Sequence, residues 1–404
     1  MTRPPAPPTQ RSDPMGLAGA LAIAGAVALG LGRFSYALLL PQMRAELHWT
    51  YFVAGAMNTV NAAGYLAGAL AAPRIFARFD ARHALASAGL VIVASLAAHA
   101  VATSTGALLA LRFVTGVASA VLLVGGGLLA ARLSRDAVHP GRILGLYYGG
   151  IGAGIVASTL LVPPLAWRAA WLALALAAGL AMLALAVVLE GARRQGREPS
   201  TAPAPNQAAA HAPWRPMTAA LLGYLMFGVG YIGYMTFIVT LLRELHVGAT
   251  WVAAFYALLG LAAIGSSWLW AGLLQRTRGG GAIALLNALT AVATVLPVLS
   301  ANPALLGLSC VLFGATFLAV VASTTAFVRH NFDEATWADG IAAFTIVFAA
   351  GQILGPTLVG WLADGPGGLQ RGFVVSAALL LAGAAIATRQ APLTGRAARR
   401  IRSR

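Results

Sequence analysis

Along most of its length the chain sets long apolar runs between short polar breaks. About twenty apolar residues suffice to carry an α-helix across the roughly 30 Å hydrocarbon layer of a bilayer. Runs of that kind fall near residues 15–40, 51–72, 83–103, 106–132, 142–165 and 169–189. After a break they resume near 217–241, 249–274, 280–300, 304–328, 337–362 and 371–388. The pattern predicts an all-α membrane protein with twelve transmembrane helices in two six-helix bundles, 15–189 and 217–388. An N-terminal tail (1–14), a linker (190–216) and a basic C-terminal tail (389–404) complete the expected organisation. The linker carries Pro199, Pro203, Pro205, Pro213 and Pro216 with four arginines, a composition that cannot bury a core and suits an extended tether.

The two halves echo each other. Shifting Gly30–His48 forward by 198 positions matches Gly30 to Gly228, Gly32 to Gly230, Tyr36 to Tyr234 and Glu46-Leu47-His48 to Glu244-Leu245-His246. Six identities in nineteen positions at one offset point to an internal repeat and pseudo-symmetric bundles. Arg33 breaks the match, since its counterpart is Tyr231.

Composition and charge sharpen the picture. The chain is 59% hydrophobic and only 9% charged, against about 25% charged in a soluble domain. Its net charge of +16 could suggest nucleic acid, but the arginines sit in short loops and tails at span boundaries. No nucleic-acid partner is expected; the lipid bilayer is. With the N-terminus inside, 21 of the 27 arginines fall on the cytoplasmic side and four on the other, with Arg33 and Arg112 inside spans. That bias places both termini in the cytoplasm of a multi-pass inner-membrane protein. All 27 basic residues being arginine reads as the mark of a GC-rich bacterial genome. One cysteine, Cys310, rules out an intramolecular disulfide and a cysteine-based metal site. No Walker loop, metal cluster or nucleophile–base pair is present, so no enzyme activity and no cofactor are expected.

Several stretches resemble the major facilitator superfamily. Arg112-Phe-Val-Thr-Gly116-Val-Ala-Ser-Ala120 is similar to the family's fourth-span signature. Gly64-Tyr65-Leu66-Ala67-Gly68 leading into Arg74, Arg78 and Arg82 resembles its loop between spans two and three, and Gly351-Gln352-Ile353-Leu354-Gly355-Pro356 resembles its eleventh span. Gly-Leu-Gly-Arg33-Phe-Ser-Tyr36 with Leu39-Leu40-Pro41 is similar to the bacterial YbfB/YjiJ-type branch. The resemblance implies twelve helices, alternating access and secondary transport. It also implies that Arg112, Arg78, Arg82, Gly116, Gly355 and Pro356 serve coupling or gating. The chain departs from the family at Ala77, where an acid usually precedes the first loop arginine, and at Asp80, where glycine is usual. Its fifth span lacks the Gly-Pro step of proton-driven drug antiporters.

Polar residues inside spans are candidates for a site, each with a structural alternative. A charge at bilayer depth costs roughly 2.5–3.5 kcal/mol on the mildest scale. Arg33 and Tyr36, three apart, are expected to share a face, with Arg33 offering a permanently charged fork to an anion or pinning a neighbouring helix. Asn58, Asn61 and Tyr65 repeat one helical spacing in the second span and either line a cavity or knit helices. Tyr231 and Tyr234 occupy the repeat positions of Arg33 and Tyr36 and should face them across the pseudo-symmetry axis. Gln352 shares a face with Thr345 and Phe348. The eleven acids all lie in loops, tails or span ends, so two buried cations lack a buried acid partner. The cargo is the natural source of negative charge. The favoured reading is a monomeric transporter of a small organic anion bound near Arg33, with protons as a possible coupling ion. Two alternatives stay open: a proton-linked exporter of drugs or amphiphilic metabolites, and a non-transporting receptor on the same fold.

Overall fold

The structure, a computed structural model, describes residues 14–134, 140–195, 214–333 and 336–393. The N-terminal tail up to residue 13, the 196–213 part of the expected linker and the basic tail from 394 onward lie outside the described residues. Among the described residues there are twelve long helices and no strand. The first is α1 (Met15–Glu46). Then follow α2 (Tyr51–Arg78), α3 (Ala81–Val101), α4 (Thr105–Ser134), α5 (Pro140–Leu161) and α6 (Trp167–Arg194). The second half holds α7 (Thr218–Glu244), α8 (Ala249–Leu269), α9 (Gly281–Leu299), α10 (Pro303–Asn331), α11 (Trp337–Ala363) and α12 (Gly368–Thr388).

Eleven of these are long and apolar enough to cross a membrane. The exception is α2, whose apolar run is diluted by Asn58, Thr59 and Asn61. It is packed between α4 and α11, so those polar groups meet protein rather than lipid. By contrast α6 exposes Leu172, Leu176, Leu180, Leu183 and Val187 at helical spacing, a stripe suited to acyl chains. One end of the molecule carries Arg74, Arg78, Arg82, Arg276, Arg278 and Arg329, and is the basic face; the other is the opposite face.

The 198-residue offset reappears in the packing. A Cβ on Gly116 of α4 would lie 2.1 Å from the Asn61 carbonyl oxygen on α2. A Cβ on Gly314 of α10 would lie 2.2 Å from the Leu259 oxygen on α8, the same pair of positions 198 residues on. Bare glycines let these helix backbones touch, which is how helices gain packing where lipid gives no hydrophobic drive. The ends of α1 and α7 repeat too. His48 and His246 are the only non-glycine residues with positive φ among the described residues, at 52° and 59°. Each follows its helix as a left-handed cap, closed by Trp49 N–H on Arg44 O (3.1 Å) and by Val247 N–H on Leu242 O (2.9 Å).

The bundles meet along α2–α11, α5–α8 and α1–α7. Where α2 meets α11, Gly55 backs onto Pro356 and Gly360 onto Tyr51, both towards the opposite face.

Candidate functional site

The centre of the molecule is built on an irregularity in α1. Residues Ala26–Phe34 form a π-helix, whose hydrogen bonds reach one residue further than in an α-helix. Ser35 N–H closes it on Gly30 O at 3.1 Å, and the α-helix resumes at Tyr36. Gly30 lets the widened turn lie against α5, where a Cβ would come within 2.5 Å of Gly154 Cα. The widened turn separates Arg33 from Tyr36. The expected shared face is not formed: the two side chains enter different networks.

Arg33 is buried, at 3% exposure. Its Nη1 donates to Gln352 Oε1 at 3.4 Å, a long contact, and its Nε and Nη2 have no protein partner. Its guanidinium stands 5.8 Å from the centre of the Tyr65 ring. Gln352 in turn donates through its amide nitrogen to the Tyr231 hydroxyl. Arg33 of the first bundle is thereby joined to α11 and α7 of the second. Tyr231 is held flat by stacking on Phe227 (ring centres 4.6 Å apart) and Phe348 (5.5 Å). Pro356, four residues after Gln352, has no N–H to return to the Gln352 carbonyl, and it loosens α11 just beyond the site.

Arg112 has a different environment. Its Nη2 donates to Asn58 Oδ1 (2.7 Å), Nη1 to Gly32 O (3.0 Å) and Nε to Met57 O (3.4 Å). It also lies 4.9 Å from the Tyr36 ring centre, and the Tyr36 hydroxyl donates to Ala54 O at 2.9 Å. Asn61 donates to the Arg112 carbonyl at 2.9 Å. One guanidinium therefore ties α1, α2 and α4 together with every nitrogen engaged. Asn58 extends the tie to the second bundle by donating to Thr236 on α7 at 2.8 Å.

The remaining expected residues are dispersed. Tyr234 is buried inside the second bundle, stacked on Phe313 at 3.9 Å and hydrogen-bonded to Ser309 at 2.8 Å. It does not join Tyr231. Gly355 packs on Val229 and Ile232 of α7. Arg78 is exposed on the basic face. Arg82 reaches Asp80 (3.4 Å) and Glu190 (3.3 Å), partners in its own bundle. Asp80 caps α3 by accepting from Arg82 N–H at 2.8 Å. Partial burial pushes its carboxyl up, but the Arg82 N–H and guanidinium and the His83 N–H outweigh this and hold it below the usual carboxylate range.

Tyr65, which sequence reasoning grouped with Asn58 and Asn61 on one helical spacing, is the member of that group that stands beside Arg33. Sequence reasoning set aside Glu244 and Asp364 as span-end acids, and both reach across to the first bundle.

The family model described as uncharacterised MFS-type transporter YbfB matches residues 25–388. The chain belongs to that family. It is an MFS-type secondary transporter and a multi-pass membrane protein; the family and its structural neighbours are transporters, not enzymes. Among curated proteins none matches at a significant level. A bacterial homologue of the human lysosomal transporter Spinster, inward-facing and unoccupied, superposes with a TM-score of 0.72 at 14% identity, over 94% of this chain and 97% of that one. The nucleoside transporter NupG gives 0.70 at 16% identity over 92% and 99%. The human organic anion transporter MFSD10 gives 0.65 at 14% identity over 93% and 100%. At such identities the likeness establishes the major facilitator fold.

Proposed function

We propose that this transporter moves a small organic anion by alternating access, with Arg33 binding the acid group and the basic face in the cytoplasm. The observation that carries the reading is the state of the Arg33 guanidinium: buried, permanently charged, with Nε and Nη2 unpartnered. A carboxylate accepting from both would supply the missing charge and the missing hydrogen bonds in one group. Gln352 and Tyr231 stand beside it on the second bundle, so an anion held there touches both moving parts. That is what a carried substrate has to do if its binding is to favour their rearrangement. The human organic anion transporter MFSD10 shares the fold, which is compatible with such a cargo.

The test is uptake into proteoliposomes of a panel of labelled carboxylates, sulfonates and phosphate esters beside neutral and cationic compounds. Uptake of at least one anion by the wild type is expected, with loss of that uptake in Arg33→Gln. Arg33→Lys, which keeps the charge but not the fork, should transport far less than wild type. Uptake confined to neutral or cationic compounds, or a fully active Arg33→Gln, would overturn the reading.

A further inference from the structure

The closed opposite face is held by side chains as well as by packed glycines. Helix α2 starts there, and its first N–H groups have no partner within the helix. Thr50 serves one of them, accepting from Val53 N–H at 3.2 Å. The next two are served from the other bundle: Asp364, at the end of α11, accepts from Tyr51 N–H at 2.7 Å and from Phe52 N–H at 2.9 Å. Negative charge at a helix N-terminus is favoured by the helix dipole as well. Beside it the Tyr51 hydroxyl donates to Glu244 Oε1 at the end of α7, and Arg44 of α1 covers the Tyr51 ring, its guanidinium 3.7 Å from the ring centre.

The repeat shows that this contact is not a by-product of duplication. Glu46, the counterpart of Glu244, turns inward to its own bundle, accepting from Trp167 Nε1 at 2.6 Å and pairing with Arg168 at 3.2 Å. The counterpart of Asp364 is Ala166, and α8 begins at Gly248 with no side-chain cap. Of the two pseudo-symmetric helix starts, that of α2 is capped by an acid of the other bundle and that of α8 has no side-chain cap.

We infer that Asp364 and Glu244 form a latch by which the second bundle holds the opposite face closed, and that its release admits the state open to that face. In the open state water replaces both acids on the α2 N-terminus and on Tyr51, so the latch biases the equilibrium without forbidding either state.

The test is a pair of spin labels at Thr103 and Ala301, exposed loop positions of the two bundles on the opposite face, in full-length Cys310→Ser protein in lipid nanodiscs. Asp364→Ala and Glu244→Gln should each raise the ratio of long to short inter-label distances, by about fivefold for the former, the worth of a helix cap. Glu46→Gln, which loosens a tie inside one bundle, should leave the distribution where it is. If Asp364→Ala does not fold, Asp364→Asn and Glu244→Gln decide the matter. Unchanged distances in the folded latch variants, or an equal opening in Glu46→Gln, would overturn the inference.

Discussion

At the scale of single residues, two buried arginines of one type have opposite surroundings. Arg112 spends its guanidinium on Asn58, Gly32 and Met57, whereas Arg33 keeps two of its nitrogens unpartnered. Removing Arg112 strands buried acceptors, at about 1–3 kcal/mol each. Removing Arg33 strands only Gln352 Oε1 and relieves an uncompensated buried charge. Arg112→Gln should therefore lower the melting temperature of the purified protein clearly, while Arg33→Gln leaves it unchanged or raises it. A loss in Arg33→Gln as large as in Arg112→Gln would make both arginines structural pins. Sequence reasoning gave Arg33 to an anion and Arg112 to coupling or gating, each with a structural alternative, because an arginine in an apolar run shows its cost but not its partners. Two of the partners of Arg112 are backbone carbonyls on other helices, which no side-chain pattern encodes.

At the scale of elements, the helices and their order were legible because a bilayer span needs a long apolar run and leaves little room for ambiguity. The repeat was legible from six identities, and it predicts more than superposition. Gly116→Ala and Gly314→Ala insert a methyl group at matched positions, each just over 2 Å from a backbone oxygen of the facing helix. Both should destabilise by about 1–3 kcal/mol or more, as overpacking does, and both should lower folded yield by size-exclusion chromatography. A tolerated Gly116→Ala beside a damaging Gly314→Ala would mean that α2–α4 and α8–α10 are not equivalent seams. What the pattern hid was the π-helix at Ala26–Phe34. The i, i+3 spacing that grouped Arg33 with Tyr36 assumes a regular turn, and the widened turn gives Arg33 to Gln352 and Tyr36 to Ala54. Likewise Tyr231 and Tyr234 were grouped by repeat position, yet Tyr234 serves packing against Phe313.

At the scale of the whole molecule, two bundles meet through the candidate site around Arg33, Gln352 and Tyr231 and through a packed corner at the opposite face. The arginine bias is the ground for proposing that the basic face looks inward, since short basic loops tend to stay in the cytoplasm. Reporter fusions at both termini and within 190–216 should all be cytoplasmic; an extracytoplasmic 190–216 segment would invert the assignment of faces. The position of the latch was out of reach of sequence because it joins residues 313 positions apart. Its acids look like ordinary loop residues until the fold brings them to Tyr51.

The most direct measurement of the central claim is an experimental density map of the transporter with a transported anion bound. The account predicts its acid group bridging Arg33 Nε and Nη2 at about 2.7–2.9 Å, the range of charge-assisted hydrogen bonds, with Gln352 and Tyr231 in contact. A bound anion lying elsewhere while Arg33 Nε and Nη2 are taken up by protein carbonyls would contradict it.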